Sequence, residues 1–300
     1  MTSAYHIPVM LEECMNGLAI KPNGKYVDAT FGGGGHSKKI MEVLGDKGML
    51  YAFDQDEDAI AQAFESKQLL LIKANFKYIK NYLTYFKAAP VDGVLADLGI
   101  SSYQIDEKQR GFAFMQEGPL DMRMNKETGE SVKDWLEKVD ERTLIHILSA
   151  YGEIKNARSL AKAILAALPL NTTKDLAQVC TPFAPKHKLN SYLARVFQAF
   201  RIHINQELEA LKYFLEQLED CVAVDGRVVI MSYHSLEDRL VKRWLQSGNI
   251  EGKIQKDFYG NVLRPFIEIE RKPITATDAE IAINSRARSA KLRIAVRVKQ

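Results

Sequence analysis

The sequence has few cysteines, and they lie far apart. Cys14, Cys180 and Cys221 form no C-x-x-C pair. Disulfide frameworks and zinc sites need several cysteines at suitable spacings, so the sequence predicts neither, and no metal is expected. The three thiols are expected to be small buried side chains.

Long apolar runs are also missing. No segment approaches the roughly 20 consecutive apolar residues of a membrane-spanning helix. Met1–Val9 contains His6 and Pro8 and lacks the apolar core of a signal peptide. Hydrophobic residues at 46% and charged residues at 26% are ordinary for a globular protein. The sequence therefore predicts a cytoplasmic protein with no membrane partner.

A large net charge is absent too, but the charge is unevenly distributed. The total is +3, whereas Arg264–Gln300 contains nine Lys/Arg and four Asp/Glu, which leaves the preceding residues slightly acidic. A second run, Ala184–His203, contains four Lys/Arg and no acid. Two basic patches on a nearly neutral chain indicate a polyanionic partner. The alternative is an ordinary solvated basic face.

The most informative stretch is Tyr26–His36, which reads Tyr-Val-Asp-Ala-Thr-Phe-Gly-Gly-Gly-Gly-His. An apolar run, four glycines and a helix-compatible segment predict a buried strand, a tight turn and a helix. Glycine allows positive φ and close approach of a ligand, and the helix N-terminus offers unpaired N–H groups. This pattern predicts a cofactor-binding turn. Similar turns in sheets that bind sugar nucleotides or no ligand are the alternative.

Two cofactor classes fit this turn. The dinucleotide fingerprint G-x-G-x-x-G is absent, because counting from Gly32 places Ser37 at the third glycine position. The next apolar run ends at Asp54, where a carboxylate suits the ribose of either NAD or S-adenosylmethionine. Parallel strands would bring Asp28, Asp54 and Asp97 to one edge of the sheet. Three carboxylates lining one crevice favour a cofactor that carries a sulfonium and an ammonium group.

The rest of the pattern predicts an α/β protein. Helical periodicity runs from Val132 to Asn205 without strand-like alternation, which indicates an all-helical insertion. A fifth strand is predicted at Gly226–Ser232, and too little chain separates the last two strands for a crossover, so the final strand is predicted to be antiparallel. This arrangement favours a Rossmann-like, seven-stranded class I S-adenosylmethionine-dependent methyltransferase over a dinucleotide fold. The expected domains are residues 1–107 with 205–300, and an inserted helical substrate-recognition domain at 108–204.

Several motifs, taken together and in order, resemble one family. They are His6-Ile-Pro-Val-Met, Asp28-Ala-Thr-Phe-Gly-Gly-Gly-Gly-His-Ser37, Asp54-Gln-Asp56, Asp97-Leu-Gly-Ile-Ser-Ser102, Arg110-Gly-Phe-Ala-Phe, Gly118-Pro-Leu-Asp-Met-Arg-Met, Phe197-Gln-Ala-Phe-Arg-Ile, Ser235-Leu-Glu-Asp-Arg and Ser285-Arg-Ala-Arg-Ser-Ala-Lys-Leu-Arg293. Across nearly the whole chain, this set resembles the MraW-type bacterial 16S rRNA (cytosine-N4-)-methyltransferases. The chain departs from the family at Tyr233, where Phe is usual, and at Lys188–Arg195, where the family usually has His-Pro-Ala-Thr-Arg.

The resemblance implies S-adenosyl-L-methionine as cofactor. Its methionine end would meet Gly34, Gly35 and His36, its ribose would meet Asp54, and the remaining contacts would come from Phe76, Asp97 and Gln104. The implied acceptor is the exocyclic amine of a cytidine in the decoding region of 16S rRNA, within the small ribosomal subunit. The sequence does not distinguish a monomer from a homodimer.

Catalytic roles follow from the chemistry of an amine acceptor. A carboxylate that accepts one N4 hydrogen favours the reactive amine geometry, which makes Asp97 the first candidate and His234 the second. The alternative for His234 is a loop histidine with its hydrogen bonds satisfied. Phe76 could stack on adenine or simply pack.

Substrate contacts are predicted on two parts of the chain. The loops between Arg110 and Met124 are expected to form the cytidine pocket, with an Asp121–Arg123 ion pair that only pins the loop as the alternative. Phosphate contacts are expected from the basic patches, at Arg195, Arg201, Arg286, Arg288, Lys291 and Arg293.

Three other functions stay open at this point. A methyltransferase could act on protein or on a small molecule, because cofactor motifs do not identify the acceptor. A non-catalytic RNA-binding factor could retain the fold. An NAD-dependent enzyme would share the glycine turn and Asp54.

Overall fold

The structure is a computed structural model that describes residues 8–299. The chain divides into two compact units, one up to Gly99 and again from Leu208, the other from Ile100 to Glu207. The sequence placed these boundaries at 107/108 and 204/205. His6 and Ile7 of the first family motif lie outside the described residues.

The first unit begins with alternating helices and parallel strands. In order they are α1 (Leu11–Leu18), β1 (Lys25–Asp28), α2 (Gly35–Val43), β2 (Met49–Asp54), α3 (Glu57–Ala61), β3 (Leu69–Lys73), a 3-10 turn (Phe76–Tyr78), α4 (Ile79–Tyr85) and β4 (Val91–Asp97). Helix α3 is short, with five residues. Asp56 caps its start, but α3 has no buried residue, so packing does not extend it.

The second unit, residues 100–207, contains helices and loops. Its helices are α5 (Ser102–Asp106), α6 (Val132–Leu136), α7 (Glu141–Ala150), α8 (Ala157–Ala166), α9 (Thr173–Cys180) and α10 (Leu189–Ile204). They share a core of their own that includes Leu144, Leu160, Val196 and Phe200, each fully buried. Thr172 is the N-cap of α9 in a reciprocal capping box with Asp175.

The chain then returns to the first unit. The remaining elements are α11 (Glu207–Cys221), β5 (Val222–Ser232), α12 (Ser235–Ser247), β6 (Phe266–Glu268), α13 (Asp278–Ile283), a 3-10 turn (Ser285–Ser289) and β7 (Lys291–Arg297). Thr277 caps α13, and the Oε1 atom of Glu280 accepts a hydrogen bond from the Met10 N–H at 2.6 Å.

All seven strands form one sheet in the order β3-β2-β1-β4-β5-β7-β6. Strands β1 to β5 pair in parallel, and β7 is antiparallel to both β5 and β6. The predicted seven-stranded sheet with an antiparallel last strand is therefore confirmed. Because β1 pairs in parallel with β2 and with β4, the carboxyl ends of these three strands lie at a common edge.

Both faces of the sheet are buried, which explains the nearly continuous apolar runs in the strands. In β5, Val228 and Ile230 belong to a core on one face, whereas Val229 and Met231 belong to a core on the other. Within residues 8–299, no helix combines the length and the apolarity needed to cross a membrane.

The loops at the start of the second unit pack backbone against backbone. A Cβ atom added at Gly118 would overlap the carbonyl oxygen of Lys108. The Gly118 N–H also donates to Thr173 Oγ1 at 3.1 Å, and its carbonyl accepts from the Thr173 N–H at 3.0 Å. Only a residue without a side chain fits between these partners.

Replacement of Gly118 by Ala is expected to destabilise the protein by about 3 kcal/mol, because a backbone oxygen cannot move aside as a flexible side chain can. Urea unfolding would measure the change. Met115→Ala is the control, since Met115 is 79% exposed in the same loop and its loss should cost less than about 0.5 kcal/mol. Equal stability of the two variants would contradict this account of the loop.

Candidate functional site

The glycine turn connects β1 to α2 at the carboxyl edge of the sheet. Gly32 and Gly34 have φ of 51° and 73°, a left-handed conformation that favours glycine. Gly34 is the N-cap of α2 and has no side chain to cap it. The first N–H groups of α2 are therefore available to an anion such as a carboxylate.

The glycines of the turn differ in what surrounds them. A Cβ atom at Gly34 would lie 2.8 Å from Cζ of Phe31, and one at Gly35 would overlap the ring of Pro8. A Cβ atom at Gly33 would meet no atom within 4 Å. The turn is thus packed behind Gly34 and Gly35 and open beside Gly33, where a ligand can approach the backbone.

Asp54 ends β2 and faces this turn. Its Oδ2 accepts the Gly32 N–H at 2.7 Å, and its Oδ1 accepts the Asp56 N–H at 2.8 Å. Burial raises the pKa of Asp54 to about 6, against the lowering effect of these two N–H groups, and the charges of Asp56 and Asp28 raise it further. The carboxylate is fixed in place and would gain from a ligand that donates hydrogen bonds.

Asp97 ends β4 and is held by groups from two other segments. Its N–H donates to Thr30 Oγ1 at 2.7 Å. Its Oδ1 accepts the Tyr233 hydroxyl at 2.8 Å, and its Oδ2 lies 3.8 Å from Nδ1 of His36. Burial raises the pKa of Asp97 to about 6; His36 and the Tyr233 hydroxyl lower it, while Asp28 and Glu237 raise it.

His36 occupies the second position of α2. Its Nε2 lies 3.2 Å from the carbonyl oxygen of Val9. Because a carbonyl can only accept, Nε2 carries the proton and Nδ1 faces Asp97. The ring is buried beside the Asp97 carboxylate.

The expectation that Asp28 lines an open crevice is wrong. Asp28 is only 1% exposed. Its Oδ2 accepts the Ser37 hydroxyl at 2.6 Å and its Oδ1 accepts the Thr30 N–H at 3.1 Å. Asp28 therefore supports the turn from behind, and it acts on Asp54 and Asp97 through its charge.

Two further predicted cofactor residues have local partners. The ring of Phe76 packs edge-on against Phe214, with ring centroids 5.2 Å apart, and it borders one core of the sheet. Packing, the alternative reading of Phe76, thus accounts for its position. Gln104 belongs to the second unit, where its side chain accepts the Ser101 N–H at 3.0 Å in a capping box.

His234 is the N-cap of α12. Its Nδ1 accepts the Glu237 N–H at 3.4 Å, and its Nε2 lies 3.2 Å from Oε1 of Glu237. The side chain that donates a hydrogen bond to the Asp97 carboxylate is that of Tyr233, the residue before His234. The structure thus gives His234 a capping position. Within residues 8–299 its buried Nε2 has no hydrogen-bond partner, so the alternative of a histidine with all its hydrogen bonds satisfied is met only at Nδ1.

The predicted cytidine-pocket residues support their own loop. Arg123 pairs with both oxygens of Asp121, at 2.8 and 2.9 Å, and Nη1 donates to the Lys126 and Gly129 carbonyls. The ion-pair alternative is therefore the observed one. Arg110 is 1% exposed, and its Nη2 donates to the carbonyl oxygens of Arg123 and Met124. Its burial places Arg110 inside the loop rather than on a surface that RNA can reach.

The residues predicted to contact phosphate differ in exposure and in their ion-pair partners. Arg293 is a correction: its side chain is 4% exposed and pairs with Asp238 at 2.8 Å and Glu268 at 3.0 Å, so it is not available to phosphate. Arg201 pairs with both oxygens of Glu207. Arg288 is exposed, whereas Arg195, Arg286 and Lys291 are partly exposed, with Lys291 3.1 Å from Asp238.

Sequence reasoning missed two residues of the site. Thr30 receives the Asp97 N–H, and Tyr233 donates to the Asp97 carboxylate. Tyr233 entered only as a departure from the family. Its place directly after β5, the neighbour of β4, was the available signal, because side chains there meet at the carboxyl edge.

Comparison with known proteins gives one consistent result. The sequence matches the model of the MraW methylase family over residues 3–298. It is 48% identical to "Ribosomal RNA small subunit methyltransferase H" from Amoebophilus asiaticus, over 99% of this chain and 97% of that protein. Proteins of the same name from Cytophaga hutchinsonii and Phocaeicola vulgatus are 49% and 47% identical, covering 98% and 97% of this chain and 99% and 97% of their own lengths.

Two glycines of the turn, Gly35 and Gly33, allow a matched test. Gly35→Ala is expected to lower the free energy of unfolding by about 1–3 kcal/mol, because the new methyl group overlaps the Pro8 ring. Gly33→Ala should change it by less than about 0.5 kcal/mol, since that position is open. Thermal or urea unfolding measures both. A Gly33 variant as unstable as the Gly35 variant would show that the turn is packed differently.

Proposed function

Because the chain belongs to the MraW methylase family, we propose that it is an S-adenosylmethionine-dependent methyltransferase that modifies N4 of a cytidine in the decoding region of 16S rRNA. The observation that carries the proposal is the carboxyl edge of the sheet, where Asp54 and Asp97 flank a glycine turn that is open beside Gly33. The names of the curated relatives support small-subunit rRNA as the substrate class. The motif resemblance supports the cytidine amine.

The residues at this edge fit the proposed cofactor. The turn at Gly34 and Gly35 with the N-terminus of α2 suits a carboxylate, and the Asp54 carboxylate suits two ribose hydroxyls. Two carboxyl groups, each with a pKa raised to about 6, form a place where a cation is favourable. Phe76 is the proposed border of the adenine, next to β3.

Bound S-adenosylmethionine, which the glycine turn and Asp54 would hold, would supply a methyl group on positively charged sulfur. The N–C bond to N4 would form as the S–C bond breaks, and the electron pair of the S–C bond would stay on sulfur. The chain's part is to hold the amine in line and to exclude water. Asp97 Oδ2 accepts an N4 hydrogen, which keeps the lone pair on nitrogen available for attack. It then takes the departing N4 proton and passes it to water.

The experiment that tests this function is nucleoside mass spectrometry. Unmodified small ribosomal subunits, naked rRNA or a protein extract are incubated with the protein and labelled S-adenosylmethionine. We expect N4-methylcytidine in rRNA from one of the first two substrates. Label in protein, or cofactor binding without any turnover, would instead support the protein methyltransferase or the non-catalytic RNA-binding factor. Binding of NADH would support a dehydrogenase.

The raised pKa values give the cofactor affinity a defined pH dependence. Below pH 6 Asp54 and Asp97 are protonated in the free protein, and a proton must leave before the cation gains a charged partner. Affinity for S-adenosylmethionine should therefore fall at least about tenfold between pH 7.5 and pH 5, measured by calorimetry. The Asp97→Asn variant should bind S-adenosylmethionine more weakly than the wild-type protein at pH 7.5, and its affinity should change less with pH. An unchanged pH profile in that variant would remove Asp97 from the cofactor site.

The basic C-terminal segment gives a second prediction. Arg286 and Arg288 lie in the 3-10 turn before β7, and we propose that they contact rRNA phosphates. The double variant Arg286→Ala/Arg288→Ala should weaken rRNA binding and reduce the slope of log Kd against log salt by roughly 0.7 for each lost contact, with cofactor affinity unchanged. The matched control is Arg271→Ala/Lys272→Ala, two exposed residues outside the proposed contact. Identical slopes for both pairs would contradict the assignment.

A further inference from the structure

Tyr233 contacts the carboxylate to which the proposed reaction assigns the amine proton. Resting on the proposed function, we propose that Tyr233 is a positioning residue: its hydroxyl occupies Oδ1 of Asp97, keeps the carboxylate ionised, and leaves Oδ2 to receive the acceptor amine.

The position of the hydroxyl is fixed by the fold. Tyr233 follows the last residue of β5, and β5 pairs with β4 so that Asp97 lies beside Met231. The Tyr233 N–H donates to Oε2 of Glu237 at 3.0 Å, which ties its backbone to the first turn of α12. The ring also packs against the core that contains Val229 and Met231. The hydroxyl therefore reaches Asp97 from an anchored backbone and a packed ring.

The two oxygens of Asp97 have different surroundings. Oδ1 receives the Tyr233 hydroxyl at 2.8 Å. Oδ2 lies 3.8 Å from Nδ1 of His36, a distance longer than a hydrogen bond. The Asp97 side chain is 24% exposed, so it can meet a ligand. With Oδ1 occupied, Oδ2 is the oxygen that can accept a hydrogen from an incoming amine.

Tyr233 acts as a donor and not as a base. Burial, together with the charge of Asp97, raises the pKa of the phenol well above its usual value near 10. The hydroxyl thus keeps its proton throughout the physiological range. A donor of this kind stabilises the ionised form of its acceptor, so it can hold Asp97 as a carboxylate without taking the amine proton itself.

Other charged groups also face Asp97, and they define what removal of the hydroxyl would do. His36 from α2 favours the ionised carboxylate, whereas Asp28 from β1 and Glu237 from α12 disfavour it. Cys14 from α1 is close enough for the Asp97 charge to raise its pKa, and burial keeps that thiol neutral. Without the Tyr233 hydroxyl, His36 is the group that still lowers the pKa of Asp97, whereas burial and the charges of Asp28 and Glu237 raise it. The pKa of Asp97 must then rise.

The test is the conservative variant Tyr233→Phe. The acidic limb of the methylation rate against pH is expected to move upward by about one unit, the size of one hydrogen bond to a charged group. Above that limb, near pH 8.5, the rate should stay within about threefold of the wild-type rate. A purely structural role would lower the rate equally at every pH. Tyr192→Phe is the matched control, because Tyr192 donates to Asn156 Oδ1 at 3.0 Å within the helical unit.

A second readout does not depend on activity. The carboxyl carbon of Asp97, labelled with 13C and assigned through Asp97→Asn, is titrated by NMR in the full-length wild-type and Tyr233→Phe proteins. An upward shift of about one unit, matched by the pH profile, supports the inference. An equal pKa in the two proteins overturns it, and so does a shifted pKa with an unmoved profile. A wild-type protein that methylates nothing counts against the proposed function, while the titration still decides what the hydroxyl does to Asp97.

Discussion

The structure of the candidate site depends on like charges held together at one edge of the sheet. Asp28, Asp54 and Asp97 end three neighbouring parallel strands, and each has a pKa raised by burial. Carboxylates in such a position repel one another unless they are protonated or a cation joins them. The fold tolerates this arrangement because backbone N–H groups, two hydroxyls and one imidazole surround the three acids. A cationic ligand would relieve the repulsion among the three carboxylates, and this relief would contribute to its binding free energy.

The three acids differ in their hydrogen-bond partners and therefore in what each can contribute to the site. Asp28 is fully buried and uses both oxygens internally, on Thr30 and Ser37, so it fixes the turn and contributes only its field. Asp54 accepts hydrogen bonds from two backbone N–H groups, one of them that of Gly32. Asp97 is the most adaptable, because its contacts are side chains from α2 and from the end of β5. The short segment from β1 to α2 thus joins buried Asp28 to His36, which lies beside Asp97.

The basic residues follow a similar division. Sequence reasoning expected Arg293 to contact phosphate and Arg110 to belong to the cytidine pocket, but both side chains have internal partners. Arg293 completes a buried network with Asp238 and Glu268, and Arg110 supports the carbonyls of a loop. Buried arginines of this kind satisfy internal acceptors and cannot reach a phosphate. Arg288 lies in the 3-10 turn before β7 and is exposed, so its guanidinium can reach a phosphate.

The sequence by itself determined the sheet, its antiparallel last strand, the helical insertion and the glycine turn, because strand period, glycine and capping residues act locally. It also placed Asp54 and Asp97 at strand ends, since parallel strands share an edge. Only the tertiary structure decided that Asp28 is buried, that Tyr233 rather than His234 meets Asp97, and that Arg293 and Arg110 lie inside. Those outcomes depend on side-chain direction and on partners distant in the chain, such as Asp97 and Tyr233, and no local pattern encodes them.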